Sequence, residues 1–212
     1  MEFEASKFYH VYNRGNNKQT LFYSSGNYLF FIKKMRRHLV KHCNILAYCL
    51  IPNHFHWLIL VKKTSRNSKE RHPLDQQIGT LLSSYTQSLN NRYNRTGSLF
   101  QQTTQSIPLT TQIQGLTCFH YIHQNPIRAH LVKEMGAWPY SSFPDYSGKR
   151  NGTLIDKDVA SQKLDLAITP EKFIEQSKKA IVPNKIKKYI STPPHPAADF
   201  AVGVHGEARK MG

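Results

Sequence analysis

Four residues in two segments have the types and spacing to do chemistry. In Ile51-Pro52-Asn53-His54-Phe55-His56-Trp57-Leu58-Ile59, two histidines alternate with aromatic residues. On a strand, residues i and i+2 project from the same face, so His54 and His56 would point one way while Phe55 and Trp57 enter the other side. Two imidazoles one pleat apart can chelate a single divalent ion. Downstream lies Cys118-Phe119-His120-Tyr121-Ile122-His123-Gln124-Asn125-Pro126. On a helix, Tyr121 and Asn125 share a face, and a phenol and an amide oxygen could converge on one ion. A tyrosine hydroxyl, with a pKa of about 10, is a plausible nucleophile only with a metal or a base to help. Its attack on a phosphodiester would leave a phosphotyrosine. Spacing alone leaves both pairs open: the histidines could equally be surface groups that bind nothing, and a tyrosine at such a position is more often in the core. A (β/α)₈ hydrolase also carries H-x-H, but 212 residues with the element order below leave little room for eight βα units.

The charge around these residues narrows the chemistry. The chain carries a formal net charge of +16, and residues 5–133 hold 17 Lys or Arg against only Glu70 and Asp75, a local balance of +15. A segment so short of carboxylates is poorly suited to holding several Mg²⁺ ions on Asp and Glu. Any metal there must lean on other ligands. The positive field suits a polyanion, because Lys and Arg that neutralise phosphates release condensed counterions. Cys43, Cys49 and Cys118 lack CxxC spacing, which argues against a zinc ribbon or a disulfide framework and predicts buried, reduced thiols. No apolar run approaches the roughly 18 residues of a membrane helix, and the first residues do not resemble a signal peptide, so the expectation is a cytoplasmic protein with no membrane partner.

These residues need elements to position them. An aromatic and β-branched run at 8–13 reads as a strand, broken at Arg14-Gly15-Asn16-Asn17. Residues 26–42 have apolar positions at helical spacing with Lys and Arg between them, a basic amphipathic helix. Runs 44–50 and 54–61, separated by Ile51-Pro52-Asn53, form the pattern of a hairpin, and 62–73 reads as a basic loop. A helix is expected over 74–93, a strand over 99–107, and a further helix after Thr110-Thr111 that ends or kinks at Asn125-Pro126. This order predicts an α+β domain with a mostly antiparallel sheet. After about residue 147 the composition changes: 147–152 reads as a linker, 170–180 as a short helix and 193–212 as a flexible tail. The chain thus divides into a domain at 1–146, a linker and helical extension at 147–192, and the tail, with the last two expected to be peripheral.

Taken in order, the segments resemble the single-tyrosine HUH transposases, and within them the REP-associated tyrosine transposases. The matching stretches are Tyr9-His10-Val11 with Asn13-Arg14-Gly15-Asn16-Asn17, Pro52-Asn53-His54-Phe55-His56-Trp57-Leu58, Gly97-Ser98-Leu99-Phe100-Gln101, Tyr121-Ile122-His123 with Asn125-Pro126-Ile127-Arg128-Ala129, and Trp138-Pro139-Tyr140-Ser141-Ser142. They cover roughly residues 8–146. The resemblance implies a ferredoxin-like sandwich with the histidines on a central strand and Tyr121 on a helix across from them. It implies that His54 and His56 hold Mg²⁺ or Mn²⁺, with Asn125 completing the set and Tyr121 as nucleophile. The chemistry implied is cleavage and rejoining of single-stranded DNA next to hairpins through a 5′-phosphotyrosine. A site of two imidazoles and one amide should suit Mn²⁺ at least as well as Mg²⁺. The sequence departs from the larger insertion-sequence relatives, in which the third ligand is typically Gln.

For DNA, the candidate phosphate contacts are Arg14 and Asn16 in the first turn, Lys62, Lys63 and Arg66 in the basic loop, and Arg92 and Arg95 at the end of the long helix. Tyr12, Phe100 or Trp138 could stack unpaired bases, and His120 or His123 could brace the site. The partner expected is hairpin or single-stranded DNA, bound by a monomer or a homodimer. The competing reading is a catalytically silent hairpin DNA-binding or RNA-binding regulator derived from a transposase. Retention of His54, His56, Tyr121 and Asn125 together argues for the enzyme.

Overall fold

The computed structural model describes residues 1–63, 72–167 and 169–179. Strand β1 (Phe8–Arg14) leads through a 3-10 turn at Asn16–Lys18 to helix α1 (Ser25–Leu39). Then come β2 (Cys43–Ile51), β3 (His54–Val61), α2 (Pro73–Tyr93), β4 (Gln105–Leu109) and α3 (Gln112–Arg128). The strands form one antiparallel sheet in the order β2-β3-β1-β4. This βαββαβ arrangement is the ferredoxin-like α+β sandwich expected, with β3 and β1 in the centre.

The pleat of β3 divides the interior in two. Phe55, Trp57 and Ile59 pack with Phe31 and Met35 of α1 and with Ile78 and Tyr85 of α2. On the other face Leu58, with Leu46 of β2, packs against Cys118, Phe119 and Ile122 of α3. A register shift between Ile45 and Ala47 lets Leu46 and Ala47 both join the α3 side. All three cysteines are free and buried. Among the described residues no helix is long and apolar enough to cross a membrane.

The hairpin is tighter than expected. Ile51 pairs with His54, so the turn is Pro52-Asn53 alone. The Pro52 carbonyl accepts from Leu21 N (2.7 Å) and that of Asn53 from Gly15 N (2.8 Å), which lashes the turn to the end of β1. Gly15 is required there, because a Cβ would stand 2.0 Å from the Gln19 carbonyl oxygen. The strand expected at 99–107 is reduced to Gln105–Leu109. Leu99 and Phe100 are buried, Phe100 making a single bridge to Gly15. Between them and β4, Gln101 N still donates to Arg14 O (2.9 Å), and the Asn13 amide donates to Gln101 O (3.2 Å) and Thr104 Oγ1 (2.8 Å). Helix α2 starts where His72 Nδ1 accepts from Leu74 N, and stops at Asn94 in the left-handed conformation (φ 48°). Helix α3 passes through Pro126 to Arg128, because only its last turn is affected by the missing N–H.

The stretch at 147–152 is not a free linker. Arg150 forms an ion pair with the buried Asp145 (2.6 Å) and donates to Tyr48 Oη and to the carbonyls of Pro139 and Ser141. Gly152 N donates to Asp145 Oδ1. The polar composition suggested solvation, but these charges are paired with each other and with backbone. Beyond them Leu154 and Ile155 enter the core. Helix α4 (Phe143–Tyr146), α5 (Lys157–Leu164) and α6 (Pro170–Lys179) add Phe143, Ala160, Leu164 and Phe173 to the α3 side. The extension is therefore a second cover over α3 and the β2 edge. The expected tail at 193–212 lies outside the described residues.

Candidate active site between the sheet and helix α3

The even-numbered residues of β3 and β1 share the face turned to α3. Antiparallel pairing sets Arg14 opposite His54 and Tyr12 opposite His56, with His10 one step further along. The His54 and His56 rings lie 5.0 Å apart, at 87° to each other. Tyr121 reaches them from α3: its ring stands edge-on to His56 at 5.6 Å and to His10 at 6.1 Å. Three segments distant in sequence thus meet around one cluster of rings. Tyr121 is only 6% exposed, and the guanidinium of Arg128 lies 5.6 Å over its ring.

Each histidine is held through the same nitrogen. His54 Nδ1 lies 2.7 Å from Asn53 Oδ1. An amide oxygen only accepts, so His54 carries its proton on Nδ1 and its ring lone pair on Nε2. His56 Nδ1 lies 3.0 Å from His10 Nε2. A divalent cation requires an unprotonated imidazole nitrogen, and metal-bound histidines usually donate the other N–H to a supporting acceptor. The support available to both rings fits that arrangement, with Nε2 as the ligating atom. Asn125 is buried one turn along α3 from Tyr121, and its Nδ2 donates to the Tyr121 carbonyl (2.9 Å). The described residues contain no group of three or more His, Cys, Asp or Glu able to hold a metal, as the expected set of two imidazoles and an amide requires none. Of the two carboxylates within 5–133, Asp75 pairs with the amino terminus (3.0 Å) and Glu70 lies outside the described residues.

Burial sets the protonation of the neighbouring groups. His10 is fully buried, and desolvation pushes its pKa down to about 3, so the ring is neutral at ordinary pH. Tyr12 is half-buried on the same face, its ring 4.9 Å from His10 and 5.8 Å from His56. Desolvation, and next the Tyr121 hydroxyl, push its pKa up. Cys49, opposite His56 on β2, is held well above the usual thiol range by burial and is no nucleophile.

The candidate DNA contacts divide. Arg14 lies on the site face beside His54, with Nε buried and without a hydrogen-bond partner. Asn16 is exposed in the adjoining turn. Arg95 is hydrogen-bonded to Gln19 and lines a groove of about 820 Å³ with Asn13, Asn90, Gln101 and Gln102. Arg92 is exposed at the end of α2 and lies over Tyr93. Lys62 and Lys63 belong elsewhere: eight strand residues, about 26 Å, separate Lys62 from His54, and its Nζ donates to Val40 O. Arg66 lies outside the described residues.

Of the expected stacking groups, Tyr12 stands at the site. Phe100 is instead core, packed with Phe31, Phe55 and Tyr85. Trp138 packs edge-on against Tyr28 and donates Nε1–H to Leu50 O. His123 is enclosed by Phe119, Phe143, Tyr146 and Phe173 and bonds Ser142 Oγ (2.7 Å), so it braces α3 against the segment that borders β2. His120 is buried with neither ring nitrogen hydrogen-bonded. The sequence pattern alone does not mark His10, Asn53 or Arg128 as site residues. The alternation of β1 carries a signal for His10, but only the β1–β3 register ties it to His56.

No protein-family model matches the chain, and no curated protein sequence matches it. Among solved structures, the chain is similar to a REP-associated tyrosine transposase bound to a REP hairpin, with a TM-score of 0.51. The likeness covers 74% of this chain and 91% of that one at 17% identity. It establishes a common fold.

Proposed function

We propose that the chain cleaves and rejoins single-stranded DNA next to hairpins, as a transposase-type strand transferase, with Tyr121 as nucleophile. The observation that carries the reading is the meeting of Tyr121 with His56 at 5.6 Å, from segments 65 residues apart, on a fold similar to that of a hairpin-bound tyrosine transposase. His54 and His56 would hold Mg²⁺ or Mn²⁺, with Asn125 as the third candidate ligand. When bound, the cation would supply Lewis-acid stabilisation of charge on the scissile phosphate and on the departing oxygen. Tyr121 Oη attacks phosphorus, the P–O3′ bond breaks, and the phenolic proton passes in net terms to the 3′ oxygen. The product is a 5′-phosphotyrosine that keeps one phosphodiester in place of another. Attack by a 3′-OH on that linkage reverses the step without an external energy source. Arg14 and Arg128, both beside the rings, would grip flanking phosphates, and Tyr12 would stack an unpaired base.

The test is incubation of a labelled hairpin oligonucleotide carrying a single-stranded flank with Mn²⁺ or Mg²⁺, resolved by denaturing electrophoresis. A slow-migrating covalent adduct is expected, absent with Tyr121→Phe. Hairpin binding with no adduct under either metal would overturn the enzyme and leave the silent binding protein.

A further inference from the structure

His56 presents a choice that His54 does not. A neutral imidazole has one N–H, and His54 must place it on Nδ1 because its partner is the Asn53 amide oxygen. His56 Nδ1 instead faces a second imidazole, so either ring can donate across the 3.0 Å contact. If His10 donated, His56 would carry its proton on Nε2 and could not ligate through that atom. If His56 donates, its Nε2 bears the lone pair, matching His54.

We propose that His10 is a positioning residue for His56: its Nε2 accepts the His56 Nδ1–H and holds that ring as an Nε2 ligand for a divalent cation. The assignment rests on the metal-dependent reading above. His10 is suited to the task by geometry. It is wholly buried on the strand next to β3, and its ring lies 5.1 Å from that of His56 at only 17°, which fixes the plane of the pair. Its far nitrogen, Nδ1, is buried with no hydrogen-bond partner, so no other bond dictates which of its nitrogens carries the proton. His10 can therefore carry its own proton on Nδ1 and accept from His56 Nδ1, which leaves His56 Nε2 as the atom that would ligate a cation. The same His10 ring stands edge-on to Tyr121, so one residue braces ligand and nucleophile together. Asn53 and His10 are thus equivalent supports: one is contributed by the hairpin turn, the other by the neighbouring strand.

The test measures Mn²⁺ affinity of the full chain by calorimetry, without DNA, for the wild type, His10→Phe and His10→Gln. Phe keeps an aromatic ring and removes the acceptor; the Gln oxygen can reach the position of Nε2. His10→Phe is expected to weaken Mn²⁺ binding about 10–100-fold, and His10→Gln to restore it to within a few-fold of wild type. Should His10→Phe not fold, His10→Leu replaces it. In the Mg²⁺-loaded wild type, ¹⁵N NMR should show His56 protonated at Nδ1, with a scalar coupling across the bond to His10 Nε2. Equal Mn²⁺ affinity in the wild type and the acceptor-less variant, or protonation of His56 at Nε2, would overturn the assignment while leaving the metal reading standing. No Mn²⁺ uptake by the wild type would remove both.

Discussion

The two faces of the sheet are built by different rules. Toward α1 and α2, β3 contributes Phe55, Trp57 and Ile59 to a layer rich in aromatic rings. Toward α3 the same strand contributes His54 and His56, the neighbouring β1 adds His10, and α3 itself adds His120 and His123, all buried. Burying a polar ring nitrogen without a partner costs about 1–3 kcal/mol, and such atoms occur in His10, His120 and His123. Both faces bury apolar side chains, but only the α3 face also buries the histidines of the proposed site. Chemistry of the proposed kind needs neutral imidazoles held in fixed orientation, and close packing provides that at the expense of hydration.

Substitutions at adjacent positions of β3 should separate the two faces most strongly. Trp57→Ala is expected to lower unfolding free energy by about 3–5 kcal/mol through the cavity it leaves. His56→Leu, of similar volume on the opposite face, should cost less, about 1–3 kcal/mol from the His10 Nε2 left buried without its partner, while abolishing both Mn²⁺ binding and adduct formation. Chemical denaturation beside the adduct assay reads both quantities. Equal destabilisation by the two would show that the faces are not specialised.

Acid should separate the faces next. Burial depresses His10 to about 3, His120 to about 4 and His123 well below its usual value. Below about pH 6.5 the unfolded chain takes up protons that the folded chain refuses. Stability is therefore complete above that pH and falls as pH drops toward 4, with a slope approaching about 1.4 kcal/mol per pH unit for each such histidine. Urea unfolding at pH 7.5, 6 and 5 should show the decline, and His123→Phe should flatten it by one histidine's share.

Two smaller effects are expected away from the rings. Arg150→Leu leaves Asp145 buried without its counterion and should destabilise by about 3 kcal/mol, read by the same unfolding curves; no change would return 147–152 to the status of a linker. Arg14→Ala should weaken oligonucleotide binding and reduce the salt dependence by about one phosphate contact, whereas Lys62→Ala, about 26 Å away, should leave single-strand binding nearly unaltered. Fluorescence anisotropy over a salt series distinguishes them.

Much of this was legible in one dimension. The alternation His54-Phe55-His56-Trp57 assigned each ring to its face, because the pleat makes successive side chains diverge whatever surrounds them. The helical spacing of Tyr121 and Asn125 held through Pro126, since a proline in the last turn removes one bond without redirecting the helix. The short β4 was less visible: Leu99 and Phe100 have strand composition, yet they meet β1 only at the Gly15–Phe100 bridge, and the Asn13 side chain interrupts the pairing before Gln105. The pairing of Arg150 with Asp145 is invisible in composition, because polarity records the residue and not its partner.

The sequence by itself determined the βαββαβ order, the facing of the two histidines and the concentration of +15 charge in residues 5–133. Those are local properties, set by backbone periodicity and side-chain type. Only the tertiary structure decided that His10, 46 positions from His56, is its hydrogen-bond partner. It also decided that Lys62 lies at the far end of β3 from the rings and that Arg14 lies beside them. Register between distant strands follows from which residues can be buried together across the whole sheet, and no stretch of chain carries that information alone.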